Sequence, residues 1–79
     1  MNLIKIESEF IKLDQLLKFS TVVDSGGVAK IFIQEECVLV NGEVCTQRGK
    51  KIYPEDIVDV EFYDDDGLVE EVITLKVTK

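Results

Sequence analysis

Hydrophobic positions recur with two different periods along this 79-residue chain, and the switches between them outline its elements. Residues 2–7 (NLIKIE) alternate: Ile4 and Ile6 point one way, Lys5 and Glu7 the other. That period of two predicts a strand over 3–7 with one buried face. From Leu13 the spacing lengthens. Leu13, Leu16 and Leu17 fall at i, i+3 and i+4, which predicts a two-turn helix over 13–19, with Asp14 in the first turn where a carboxylate suits the helix dipole. A connection at 20–24 leads to a second helix over 26–35, with Asp24 or Ser25 as its N-cap. Its stripe is read as Val28, Ile31 and Phe32, flanked by Ala29 and Ile33, and Glu35-Glu36 ends it without the usual glycine.

The remainder reads as sheet. Val38-Leu39-Val40 is a strand, Asn41-Gly42 is a two-residue hairpin turn needing positive φ at both positions, and 43–46 returns. A loop, Gln47-Arg48-Gly49-Lys50-Lys51, carries three positive charges around a glycine. Tyr53-Pro54-Glu55-Asp56 is a turn with φ set by Pro54 at its second position. Residues 57–63 alternate, with Val58, Val60 and Phe62 on one face; 68–77 alternate again, with Ile73, Leu75 and Val77 on one face, and Asp64–Gly67 joins them as a hairpin tip. The class is α+β: two short helices on a small, bent, mostly antiparallel sheet that ends in a β-hairpin.

Length and composition narrow the picture. The chain is read as one domain, 1–79, with its core in 12–58 and with 1–11 and 59–79 as added strands. The 46% hydrophobic content suits a folded globule. No apolar run approaches the roughly 20 residues of a membrane helix, and the start lacks the apolar block of a signal peptide, so no membrane and a cytoplasmic location are expected. Cys37 and Cys45 would not face each other across the hairpin and fit reduced thiols. With no histidine, they do not make a metal site, and the Asp64–Asp66 run lacks the spacing of a calcium loop. No metal and no cofactor are expected.

The net charge of −7 argues at first sight against nucleic acid. It is unevenly spread. Residues 12–51 hold six basic and five acidic side chains, whereas residues 52–79 hold two basic and nine acidic. Screening cuts charge off beyond roughly 8 Å at physiological salt, so a basic patch and an acidic sheet can share one domain. Arg48, Lys50 and Lys51 are then candidate phosphate contacts, against the plainer reading of a solubilising loop. Lys18 and Lys30 lie on the polar sides of the two helices and, if the apolar stripes meet, could border one groove, against the plainer reading of ordinary surface lysines; with Arg48, Lys50 and Lys51 they are expected to share one surface. Ser25-Gly26-Gly27 reads first as an N-cap and second as a set of amides open to a phosphate. Phe10, Phe19 and Tyr53 read as packing residues rather than base platforms.

The runs L-D-Q-L-L-K, S-G-G-V-A-K-x-F-I, V-L-V-N-G and R-G-K-K-I-x-P-x-D-x-V, in this order, resemble the S-four domain, the small RNA-binding domain named after a protein of the small ribosomal subunit. The resemblance covers about residues 12–58 and is nearest to small stand-alone bacterial members. It implies two helices packed on a strongly bent sheet, with the helices and the following hairpin forming the RNA surface. By position that surface would hold Lys12, Lys18, Ser25, Lys30, Arg48, Lys50 and Lys51. The chain departs from the family in having Lys12 where Arg is common, Glu36 and Glu55 where Gly is common, and Gly26-Gly27 where a basic residue is common. Lysine for arginine loses the bidentate fork but keeps the charge.

Three function classes compete on this basis. The first is an RNA-binding module for structured RNA, ribosomal or otherwise translation-related, acting through phosphate and shape contacts. The second is a protein-interaction module whose acidic C-terminal sheet takes a basic partner such as a ribosomal protein. The third, an enzyme, is rejected: there is no histidine, no nucleophile–base pair and too little chain for a deep pocket beside a core.

Overall fold

The computed structural model describes residues Met1–Lys79. The elements run β1 (Asn2–Lys5), β2 (Ile11–Lys12), α1 (Leu13–Phe19), α2 (Gly26–Gln34), β3 (Val38–Val40), β4 (Glu43–Val44), β5 (Lys51–Ile52), β6 (Ile57–Tyr63) and β7 (Val69–Thr78). Five strands make one sheet in the order β1-β7-β6-β3-β4, and β2 and β5 make a second, two-stranded sheet. All pairings are antiparallel except β1 with β7. The α+β class and both helices follow the sequence reading, with ends displaced by a residue or two. Beyond β1, Ile6 N–H still bonds Thr78 O, and beyond β4, Cys45 N–H bonds Val38 O, both at 2.9 Å. The pair β2–β5 has no counterpart in the sequence reading, because two-residue strands carry no readable alternation.

Fourteen residues are buried and all are apolar. Leu13, Leu16 and Leu17 of α1 and Ala29 and Ile33 of α2 share one cluster with Val38, Val58, Val60, Leu75 and Val77 of the sheet. Helices of seven and nine residues are too short to persist alone. Each fully buried Leu or Ile contributes roughly 1.5–3 kcal/mol, so packing on the sheet is what holds them. Ile6, Val60, Leu75 and Val77, which lie outside residues 12–58, belong to the same cluster. Phe32 and Phe62 close it edge-to-face, with ring centroids 5.2 Å apart.

Two expectations about the helices are corrected. Ile31 does not belong to the buried stripe of α2; it is 58% exposed. The stripe is built from two i, i+4 rows, Val28–Phe32 and Ala29–Ile33, and a residue two after Ala29 falls on the far side of the cylinder. Phe19, expected to pack, is 62% exposed for the same reason: it lies off the Leu13-Leu16-Leu17 stripe.

The turns follow their chemistry. Asn41 (φ 51°) and Gly42 (φ 86°) both take positive φ, as the hairpin requires. At Tyr53–Asp56 the Asp56 N–H bonds Tyr53 O at 3.0 Å, and Glu55 takes φ 82°, the type II position that favours glycine. Glu36, just past α2, has φ 62°, which is how that helix stops without glycine. Thr21, just past α1, also has φ 62°, uncommon for a β-branched residue. Glu36 and Glu55 are the two positions at which the resembled family commonly has glycine.

Left-handed backbone costs a non-glycine residue roughly 1–2 kcal/mol. Glu36→Gly is therefore expected to raise stability by about 1 kcal/mol and Glu36→Ala to leave it nearly unchanged, as read by urea unfolding. Glu55→Gly should gain slightly less, because it gives up an exposed ion pair with Lys76 (3.2 Å).

Candidate nucleic-acid interface

The first amides of α1 have no intrahelical partner, and the N-cap residue Lys12 offers no side-chain cap. The basic loop supplies the acceptors instead. Leu13 N–H bonds Lys50 O at 2.9 Å and Asp14 N–H bonds Arg48 O at 3.1 Å, while Gln15 N–H bonds the Asp14 carboxylate at 2.8 Å. The loop is thus held by its main chain, and the side chains of Arg48, Lys50 and Lys51 are left exposed. The β2–β5 pairing adds Lys12, directly opposite Lys51. Like charges directly opposite on a strand pair repel. Lys51 is also positioned by Phe10, with its ammonium 4.9 Å from the ring centroid, and Phe10 rests against Tyr53 at 5.9 Å.

Four of the seven candidate residues, Lys12, Arg48, Lys50 and Lys51, are brought together in this way. Lys18 lies exposed in the last turn of α1, where its charge also suits the helix dipole, and Lys30 lies exposed on α2, which packs against α1. Ser25 is separate from the basic cluster in role: its hydroxyl accepts the Val28 N–H at 3.3 Å, so it is the N-cap of α2. None of the basic candidates has an ion-pair partner; the one salt bridge in the chain is Lys76–Glu55. An open groove of about 530 Å³ runs beside the loop, with Lys50, Lys51 and Tyr53 on the loop side and Asn41 and the carboxylates of Glu43 and Asp56 on the hairpin side, so its charge is mixed.

The hairpin side of the groove is tied down by Asn41. Its side-chain amide donates to the Asp56 carboxylate at 3.1 Å and its oxygen accepts the Ile57 N–H at 2.9 Å. Asp56 in turn accepts the Tyr53 N–H at 2.8 Å. One side chain therefore couples the hairpin turn to the turn that launches β6. The local sequence explains Asn41 by its turn alone and carries no signal of a partner fifteen residues away.

Charge of the other sign collects elsewhere. Cys37 stands opposite Glu61, whose N–H bonds Cys37 O at 2.8 Å. Burial, and then the carboxylates of Glu35 and Glu61, push the Cys37 thiol above its ordinary value of 9.0. A hydrogen bond of 3.0 Å from the Tyr63 hydroxyl to Glu61 pushes that phenol up as well. Both cysteines are free. Cys37 and Cys45 project from opposite faces of the sheet, since Cys45 lies across from Val38, one residue on from Cys37.

These features, a two-helix layer on a small sheet with a basic loop lashed to the first helix, are those of a small α+β module with a cationic rim, and the chain belongs to the S4 domain family, whose model matches residues 4–75. It is 48% identical over 60 residues to the probable ribosome maturation protein RlbA of Bacillus subtilis (strain 168), a match that covers 76% of this chain and 84% of that protein. No helix is long and apolar enough to cross a membrane.

Two outcomes check the local physics. Asn41→Gly keeps the easy positive φ but removes both side-chain bonds, and is expected to cost about 1 kcal/mol in unfolding free energy; Asn41→Ala should cost more. The raised Cys37 thiol favours the fold only while it is neutral. Its contribution is complete below pH 9.0 and is lost as pH rises through the higher folded value. Thermal stability should therefore fall above pH 9, and less steeply in Cys37→Ser, when melting is followed by circular dichroism.

Proposed function

We propose that this chain binds structured RNA during ribosome maturation, through phosphate and shape contacts made by the cluster at the head of α1, and acts by binding rather than by catalysis. The observation that carries the reading is the set of four exposed, unpaired cations, Lys12, Arg48, Lys50 and Lys51, on and beside a loop that is anchored by its own main chain. Holding two lysines opposite each other without a counterion suits a site that meets an anion. Such a site needs no enclosed pocket, because phosphates track along a surface. Lys18 and Lys30 would extend the contact along the helices. Membership of the S4 domain family and similarity to a probable ribosome maturation protein support the reading. Ribosomal RNA is the proposed target and the cytoplasm the proposed location.

The net charge of −7 repels RNA at long range, so affinity has to come from these few side chains and should be salt-sensitive. Arg48→Ala, Lys50→Ala and Lys51→Ala combined should weaken binding to ribosomal RNA fragments across sequences. The slope of log K against log salt should flatten by roughly one for each phosphate that is no longer neutralised. Because the loop is held by backbone bonds, the triple variant is expected to stay folded. Unchanged binding at every salt concentration would show the loop to be a solvated tip and would overturn the proposal.

A further inference from the structure

The helices cover one face of the five-stranded sheet, and the other face has no covering layer. The register places its residues side by side. Val44 lies across from Leu39, Leu39 from Asp59, and Asp59 from Thr74. One row further on, Glu61 lies across from Val72, and beyond it Tyr63 from Val69. The result is an acidic rail along β6: Asp59 lies between Leu39 and Thr74, and Glu61 between Cys37 and Val72, so each carboxylate has an apolar side chain on one side. Val44 and Val72 are 51% and 47% exposed. Neither carboxylate has a cation: Asp59 accepts only the Thr74 hydroxyl (2.6 Å) and Glu61 only the Tyr63 hydroxyl. A carboxylate has about four lone-pair sites, so both retain acceptor capacity.

We infer that this face binds an extended basic segment of a partner protein, one in which arginines or lysines recur at every second position. Asp59 and Glu61 point the same way two residues apart, so they are separated by roughly 7 Å, the repeat of alternate side chains on an extended strand. Basic side chains would lay their aliphatic stems on Leu39, Val44 and Val72 and carry their charged heads to the rail. Phosphates are repelled by the two rail carboxylates, and Lys76, on the same face across from Ile57, is already paired with Glu55 (3.2 Å), which makes a basic polypeptide the fitting occupant of the rail. The inference goes beyond the RNA reading and does not rest on it: the two surfaces have opposite charge, and a protein using both would bridge RNA and a basic protein.

The test uses the whole chain and a labelled synthetic peptide of about twelve residues in which arginine alternates with valine and serine, titrated at about 0.15 M salt, where loose long-range attraction is screened. A second peptide of the same composition has its arginines in one block. The alternating peptide should bind more tightly than the blocked one. Asp59→Asn with Glu61→Gln, nearly isosteric changes, should weaken it about tenfold, and Val72→Ser about threefold, on the scale of desolvated charge pairs and one apolar contact. Asp65→Asn with Asp66→Asn, an equal charge change at the hairpin tip, should leave it nearly unaltered. Amide shifts in the labelled protein should centre on Leu39, Asp59, Glu61 and Val72. If the tip variant weakens binding as much as the rail variant, or Val72→Ser has no effect, or the blocked peptide binds equally well, attraction is only net charge and the inference fails. Shifts centred on Lys50 and Lys51 would overturn it as well.

Discussion

The core is one-sided, and much else depends on that. Two helices of seven and nine residues can cover one face of the sheet and no more. Leu13, Leu16, Leu17, Ala29 and Ile33 meet Val38, Val58, Val60, Leu75 and Val77 in a cluster without a single buried polar side chain. A polar group inside so small a core would need a partner that the space does not hold, since an unpaired one costs about 1–3 kcal/mol. Polar and charged groups are thus driven to the rim and to the bare face. The sign of the charge differs between the two places.

At the rim, the basic loop and α1 complete each other. The helix lacks a capping side chain, and the carbonyls of Arg48 and Lys50 take its first amides. The loop, with a glycine at its centre, gains a fixed path. Lysines facing each other across β2–β5 are tolerated because these backbone bonds, and the buried Ile52 beside them, hold the strands together regardless of the repulsion. On the bare face, Asp59 and Glu61 are held by hydroxyl groups rather than by cations. Segregation of charge is therefore a property of the folded surface as well as of the chain: nine basic and sixteen acidic side chains form one ion pair.

The family resemblance and the structure meet at the glycine positions. Glu36 and Glu55 occupy left-handed backbone where the family commonly has glycine. The fold persists with glutamate there because the cost at each site is small beside the burial of the core. The strain sits at a helix stop and at the turn before β6, away from the basic cluster's own backbone bonds.

Periodicity and turn residues together determined the class, the two helices, the Asn41-Gly42 hairpin and the long β6–β7 pair, because stripe spacing and turn chemistry are local properties. The sequence also shows which third of the chain carries the acid. It misplaced Ile31 and Phe19, because a short apolar-rich helix offers several candidate stripes and only the neighbour selects one. The parallel docking of β1 on β7, the two-residue bridge that sets Lys12 beside Lys51, the reach of Asn41 to Asp56 and Ile57, and the bare acidic face were decided only by tertiary structure. Each depends on residues far apart in the chain meeting through hydrogen bonds, and the backbone groups in those bonds leave no mark on side-chain pattern.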